Sequence, residues 1–429
     1  MKTYICTFCN TFVYDEAAGE PRAHLEVGTT FENVPGEWRC PVCGQPKSYW
    51  KEITRNEFVE KKERYNYLFP LPASPSPSAG AEAEKDIPQI RDKAREMLTG
   101  VCAANKVCDG NPDRLCMGIK YGRPIGFGGA GQGRTFDANF KALEKYKFKM
   151  RVVKEHYEPE MQTTFFGKEI LMPVMVSSVS GTKLSMNDSI PEADFQRGMI
   201  EGAKLFGTIG LSGNTVDFPD HPGIEIIKEN GGWGIPVFKP QSQERLLKLF
   251  KRAEVANVLA IAVDLDGFGS TNWAYRGKPV YRKSEKDLRE LVAATSKPVI
   301  FKGIMDIEDA KYAVGAGAKA IDISNHGGRV LDYGQGVAEV LPLIVKELKG
   351  KVTIMADGAV RTGFDVLKLL ALGADVVLIG REMARMSLAG GAQAVAKYLE
   401  FLKSDLRLAM LMTGCDTLEE ITDKILIKK

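Results

Sequence analysis

His326 and Arg329 stand three residues apart in Ser324-Asn325-His326-Gly327-Gly328-Arg329, directly after the apolar run Ala320-Ile321-Asp322-Ile323. An imidazole takes up a proton near neutral pH, a guanidinium stays charged, and the glycines between them let backbone or ligand approach closely. A proton acceptor beside a fixed cation at the end of a strand reads as the edge of an active site. Taken alone, the same stretch also reads as a polar loop after a buried strand, so its meaning depends on what else the chain brings to that edge.

A second kind of chemistry lies at the other end. Cys6-Thr7-Phe8-Cys9 and Cys40-Pro41-Val42-Cys43 supply four thiolates for one tetrahedral ion, within a segment that also carries Tyr4, Phe12, Tyr14, Phe31, Trp38 and Tyr49. Metal binding then contributes folding energy that so small a core lacks. Sulfur ligation suits zinc and iron alike. Cys102, Cys108 and Cys116 follow no metal or cluster spacing and read as free thiols of a buried loop, with Cys415 far away in sequence.

The elements that must position His326 are short apolar runs separated by helix-like segments. They fall at Met172 to Val176, Gly207 to Leu211, Ile235 to Phe238, Val258 to Val263, Val299 to Phe301, Ala320 to Ile323, Val352 to Ala356 and Val376 to Ile379. Repeated strand–helix units predict a parallel sheet, and eight of them a closed (β/α)8 TIM barrel, whose chemistry gathers at the C-terminal strand ends. The residues just past each run are Ser177 and Ser178, Ser212, Lys239, Asp264, Lys302, Ser324 to Arg329, Asp357 and Gly358, then Gly380 and Arg381. That set is too polar and too convergent for packing. After the last two strands, Asp357-Gly358-Ala359-Val360-Arg361-Thr362-Gly363 and Gly380-Arg381 combine exposed backbone N–H groups with arginine forks, the makings of a phosphate site. The phosphate belongs to a substrate or to a cofactor.

The chain has 429 residues and a formal net charge of +3, which suits one large and one small domain and implies no nucleic-acid or membrane-surface partner. Neither a signal peptide nor a membrane span is legible, and cysteine pairs spaced for metal suit a reducing compartment, so a cytoplasmic location is expected. The expected domains are 1–54, holding the four cysteines, a charged and Pro/Ser/Ala-rich linker over 55–86, and the barrel over 87–429, opening on a helix from Ile87 to Gly100. The proline-alternating linker, Pro70 to Glu84, reaches on the order of 30 to 45 Å at about 3 Å per residue.

Two family resemblances sharpen these readings. Tyr4-x-Cys6-x-x-Cys9, Tyr14-Asp15, Gly28-Thr29-Thr30-Phe31-Glu32 and Pro35-x-x-Trp38-x-Cys40-Pro41-x-Cys43-Gly44 resemble a rubredoxin, apart from Asn10, where the family has glycine. This implies one iron ligated by Cys6, Cys9, Cys40 and Cys43 and one-electron transfer, with a structural zinc ribbon as the alternative. Lys302-Gly303-Ile304, the stretch Ser324 to Asp332, Asp357 to Ala374 and Gly380-Arg381 resemble the FMN-dependent α-hydroxy-acid oxidases and dehydrogenases, as do Gly128-Gly129-Ala130, Thr135 and Asn139 at the entry. The resemblance implies FMN held by Ser177, Ser212, Lys302, Ser324, Asp357, Gly358, Arg361, Gly380 and Arg381. It makes His326 the base, Asp264 the carboxylate that orients it, Arg329 the partner of the substrate carboxylate, and Lys302 the cation facing the flavin N1 edge.

The match breaks at the third strand, where Val237-Phe238-Lys239-Pro240 replaces the family's Phe-Gln-Leu-Tyr, and at Phe127, where it has tyrosine. Lys239 then stands in for part of the substrate clamp, and Arg276 or Arg282 must reach back to supply a second arginine. The expected activity is oxidation of a 2-hydroxy acid; the alternative is an NAD(P)H-dependent oxidase or reductase that removes oxygen or peroxide. Electrons move between FMN, the tethered iron and an external partner, and the resemblance to a family whose members are often oligomers allows a homo-oligomer. A zinc ribbon on a phospholigand-binding barrel is the non-enzymatic alternative.

Overall fold

The computed structural model describes residues 2–7, 12–20, 25–36, 38–40, 45–59, 61, 86–98, 128–218, 221–270, 273 and 276–428. The chain forms two compact units, Met1–Ala83 and Glu84–Lys429. Cys9, Cys43, Asn10, Phe127, the cysteines at 102, 108 and 116, and most of the expected linker lie outside the described residues.

The small unit is a three-stranded antiparallel sheet with Thr3–Cys6 between Val13–Asp15 and Trp50–Ile53. Its core is aromatic: Tyr4 stacks on Phe31 with centroids 4.2 Å apart, and Trp50 meets Phe12, Phe31 and Trp38 at 5.0–5.3 Å. Such rings bury much area per residue, which a unit this small needs. Cys6 and Cys40 are buried. The Cys6 N–H donates to the Phe12 carbonyl at 3.0 Å and the Cys40 N–H to that of Gln45 at 2.9 Å.

In the large unit eight parallel strands close into a barrel: Val174–Val179, Gly210–Ser212, Ile235–Phe238, Ile261–Asp264, Val299–Ile304, Ala320–Ile323, Thr353–Ala356 and Val376–Ile379. Closure comes from the eighth strand pairing with the first, Val377 opposite Val174 through Ile379 opposite Val176. Every expected run contributes a strand. The first, second and fourth strands start two or three residues later than expected; Gly207, for one, is the left-handed cap that ends the helix Glu192–Phe206.

Side-chain alternation sorts each strand into two faces. Val176, Phe238, Val263, Phe301, Ile323 and Ile379 join the helices in one core. Met175, Leu211, Val237, Ala262, Ile300, Ala320, Met355 and Leu378 fill the barrel interior together with Phe165 and Ile170 of the antiparallel hairpin that precedes the first strand. The helix Ile87–Met97 carries a capping box of Asp86 and Gln89, and its Arg91 reaches Glu382 at 3.0 Å and the Tyr398 hydroxyl at 2.9 Å, on either side of the kink at Gly391 that breaks the helical span Arg381–Thr413 in two. Among the described residues no helix is long and apolar enough to cross a membrane.

Candidate active site

The interior alternation decides which strand-end residues meet. Two positions beyond each inward apolar residue come Ser177, Gly213, Lys239, Asp264, Lys302, Asp322, Asp357 and Gly380, and all but Asp322 line one cavity at the C-terminal mouth. His326, Arg329, Gly358, Arg361 and Arg381 line the same cavity from their loops. Ser324 lies just beneath it, fully buried. Ser212 is not on the cavity: a side chain grown on Gly223 would strike its Cβ and Oγ at 2.4 Å, so it faces the helix Pro222–Glu229. It departs from the expected flavin contacts because it has the outward parity, and Gly213, Asn214 and Thr215 take its place on the wall.

The loop after the sixth strand is held in an unusual shape. His326, Gly327 and Gly328 have φ of 58°, 60° and 79°, left-handed backbone that costs a β-carbon-bearing residue energy. A Cβ on Gly327 would lie 2.3 Å from the Arg381 guanidinium, and one on Gly328 2.4 Å from the Phe136 backbone. Asn325 and Asn139 exchange two side-chain hydrogen bonds of 2.9 Å, and Asn325 accepts the Gly328 N–H at 3.1 Å. Asp332 accepts the Arg134 N–H at 2.8 Å, and Thr135 Oγ1 the Gly334 N–H at 2.6 Å. The entry segment therefore clamps the loop that carries His326.

His326 Nδ1 is 3.0 Å from Asp266 Oδ1 and 3.4 Å from Asp264 Oδ1. Lys239 Nζ pairs with Asp264 and lies 3.2 Å from His326 Nε2. An ammonium only donates and a carboxylate only accepts, so these contacts place the imidazole proton on Nδ1 and the lone pair on Nε2. The function assigned to Asp264 by resemblance is divided here: Asp266 makes the hydrogen bond to the ring, and Asp264 anchors Lys239. Burial pushes both carboxyls up; His326, Lys239 and Lys302 outweigh it at Asp264 and hold that group well below its ordinary range, while Asp266 stays raised, with Asp264 as a further cause. Asp266 was not singled out from sequence, although its position two residues past a strand-end carboxylate is a usable signal. Asp264, Asp266 and His326 hold their ligand-type atoms within 4.8 Å, but Lys239 already supplies the positive charge of that cluster.

Lys302 sits deeper. Its Nζ contacts Asp322 Oδ2 at 2.6 Å and both Asp357 Oδ2 and Ser324 Oγ at 2.8 Å. Burial alone would lower its pKa, yet Asp322 and Asp357 raise it well above the ordinary lysine value. Asp322 is the other residue that sequence reading passed over, being inside an apolar run.

Neither arginine expected to reach back does so. Arg276 pairs with Asp217 at 3.7 Å, and the Arg282 guanidinium lies 5.1 Å from the Phe268 ring centre. Phe238 faces the helices against Phe250, so the inward positions of the third strand are Val237 and Lys239. Arg329 donates to the Gly128 carbonyl at 3.0 Å, which aims its guanidinium along the cavity wall.

At the other end of the cavity the Arg361 and Arg381 guanidiniums each lie 4.7 Å from an aromatic ring centre, over Phe140 and Phe136. The helix Gly363–Ala371 already has its first N–H groups satisfied, by Thr362 and Asp365 in a capping box and by Asp405. Arg381–Thr413, in contrast, starts at Gly380 with no side-chain cap, leaving that terminus open toward an anion. Between the two ends, Asn214 Nδ2, Thr215 Oγ1 and Asp357 Oδ1 are buried on the wall without partners among the described residues. An elongated polar ligand that carries a phosphate at the arginine end and hydrogen-bonding groups along its length fits these donors and acceptors.

The profile of the family described as FMN-dependent dehydrogenase matches residues 126–279 and 270–428. The chain belongs to that family. The L-lactate dehydrogenase of Serratia proteamaculans (strain 568) is 30% identical over 357 residues, covering 70% of this chain and 92% of the relative. A peroxisomal (S)-2-hydroxyacid oxidase of Arabidopsis thaliana is 29% identical over 331 residues, 69% and 88% of the two chains. A solved structure of mandelate oxidase with (S)-2-phenylpropionate superposes with a TM-score of 0.62 at 27% identity, over 80% of this chain and 98% of that one. The rubredoxin profile matches residues 3–50. The chain is thus an FMN-dependent oxidoreductase with an N-terminal rubredoxin domain, whose cysteine set implies an iron centre.

Proposed function

We propose that the barrel oxidises a 2-hydroxy acid and that the electrons leave through the rubredoxin domain to an external acceptor. The observation that carries the reading is the joint placement of His326, with its lone pair on Nε2, and Arg329 on one cavity. Arg329 binds the substrate carboxylate as a fork. The substrate hydroxyl takes the place of the Lys239 ammonium at Nε2, and His326 accepts its proton while Asp266 stabilises the imidazolium through Nδ1. Asp264 keeps Lys239 beside the reacting centre, where its charge stabilises the developing alkoxide. FMN, held by Lys302, Ser177, Asp357, Gly358, Arg361, Gly380 and Arg381, supplies a two-electron acceptor that is able to release electrons singly. Cys6, Cys9, Cys40 and Cys43 hold the iron that exchanges one electron at a time, which suits a metal-thiolate protein of the cytoplasm.

The altered third strand favours a second reading, in which a reduced nicotinamide is the donor and Lys239 keeps Nε2 occupied. Anaerobic mixing separates the two. L-lactate, glycolate or (S)-mandelate should bleach the flavin band and then the iron band; bleaching by NADH with no response to any hydroxy acid refutes the first reading.

A further inference from the structure

Beneath the cavity, two buried carboxylates share a single buried cation. Lys302 and Asp322 stand opposite each other on adjacent barrel strands, and on its other side Asp322 is paired with Met355, an interior apolar residue. The Lys302 ammonium contacts Asp322 Oδ2 at 2.6 Å and Asp357 Oδ2 at 2.8 Å, and Ser324 Oγ donates to that same Asp357 oxygen at 2.7 Å. Asp322 is 1% exposed and its Oδ1 has no partner among the described residues. One lysine cannot neutralise both carboxylates, and Asp264 and Asp266 of the fourth strand and its loop add negative charge from the side. Burial, with help from Asp357 and against Lys302, raises the Asp322 carboxyl to about 7. An uncompensated charge in such a place is costly, so a further negative charge nearby is enough to make the group bind a proton.

We propose that Asp322 is a charge-compensating residue for the flavin: acting through Lys302, it is ionised while bound FMN is oxidised and takes up one proton from solvent when FMN is reduced. Lys302 lines the cavity and Asp322 does not, so any negative charge brought against Lys302 withdraws the ammonium's field from the carboxylate behind it. Two electrons and one proton enter the flavin, and a second proton converts the Asp322 carboxylate to the acid; in the proposed reaction the donor of the electrons is the hydroxy acid. The inference rests on FMN binding and not on the choice of substrate. It makes Asp322 a positioning residue, since it touches neither substrate nor the cavity.

The test is a redox titration of the full FMN- and iron-loaded chain with mediator dyes and no organic substrate. Flavin and iron bands are resolved by fitting whole spectra between pH 6 and pH 8. Each proton coupled to a two-electron reduction changes the equilibrium tenfold per pH unit, about 30 mV. Above pH 7 the wild-type flavin potential should fall more steeply than that of Asp322→Asn by close to one proton's worth. The variant should be easier to reduce by about tenfold in the equilibrium constant at pH 8, and the two should converge at pH 6. Asp322→Ser provides a second variant should the asparagine fail to fold. Parallel slopes, or a constant offset at all pH values, overturn the proposal, whereas failure of hydroxy acids to reduce the flavin would leave this titration unaffected.

Discussion

Replacing each of the two carboxylates near His326 separately tests how the site divides its work. Asp266→Asn keeps the shape and an acceptor oxygen at 3.0 Å from Nδ1 but removes its charge. A hydrogen bond to a charged group contributes roughly 1.5–3 kcal/mol and a neutral one roughly 0.5–1.5, so the imidazolium loses about 1.4 kcal/mol of support. This corresponds to about a tenfold slower anaerobic bleaching of the flavin by saturating L-lactate in a stopped-flow instrument. The global stability should change little, since Asp264 still pairs with Lys239. Asp264→Asn strands the Lys239 ammonium, whose side chain is only 11% exposed, and removing one member of a buried pair costs about 3–5 kcal/mol. Its urea midpoint should therefore drop visibly in addition to any loss of rate. The reasoning is refuted if Asp266→Asn bleaches within twofold of wild type, or if the two variants lose the same stability.

Lys302→Met leaves Asp322 and Asp357 buried without their cation, so the FMN-free protein should lose about 3 kcal/mol or more in urea unfolding; an unchanged midpoint contradicts the cluster's geometry. Gly327→Ala puts a methyl 2.3 Å from the Arg381 guanidinium on a left-handed backbone, and should weaken FMN retention during gel filtration while leaving the iron colour intact. Cys6→Ser should abolish the iron absorbance and leave the flavin spectrum unchanged, since the cysteine lies in the small unit's own core. His221 is fully buried and its pKa is lowered to about 4 by that burial. A histidine depressed in the folded state favours folding above the unfolded value of about 6.5, and that contribution is lost as pH falls toward 4, roughly 3 kcal/mol in all. His221→Gln should flatten the urea-stability profile over that window, and an unaltered profile would rule His221 out as a source of acid sensitivity.

Much of the site was legible in the chain because a TIM barrel collects its chemistry at one end of consecutive strands. Reading the residue past each apolar run found Lys239, Asp264, Lys302, Asp357, Gly380 and the His326 loop without any three-dimensional information. Ser212 shows the weakness of that rule: being at a strand end does not decide parity, and one position changes a cavity wall into a helix contact. Asp322 shows the converse, a carboxylate hidden in an apolar run because its inward partner is a lysine on the neighbouring strand.

Strand and helix periodicity, the paired cysteines with their demand for a tetrahedral metal, and the glycines without which the His326 loop clashes with Arg381 and Phe136 are all readable along the chain. Those are properties of local spacing and of backbone stereochemistry. Barrel closure was needed to show that Asp266, at 3.0 Å, stands closer to His326 Nδ1 than Asp264 at 3.4 Å, that Lys239 occupies Nε2, and that Lys302 is shared between Asp322 and Asp357. These contacts join residues 20 to 87 positions apart, and which charges meet is set by barrel closure and by which side of each strand faces inward.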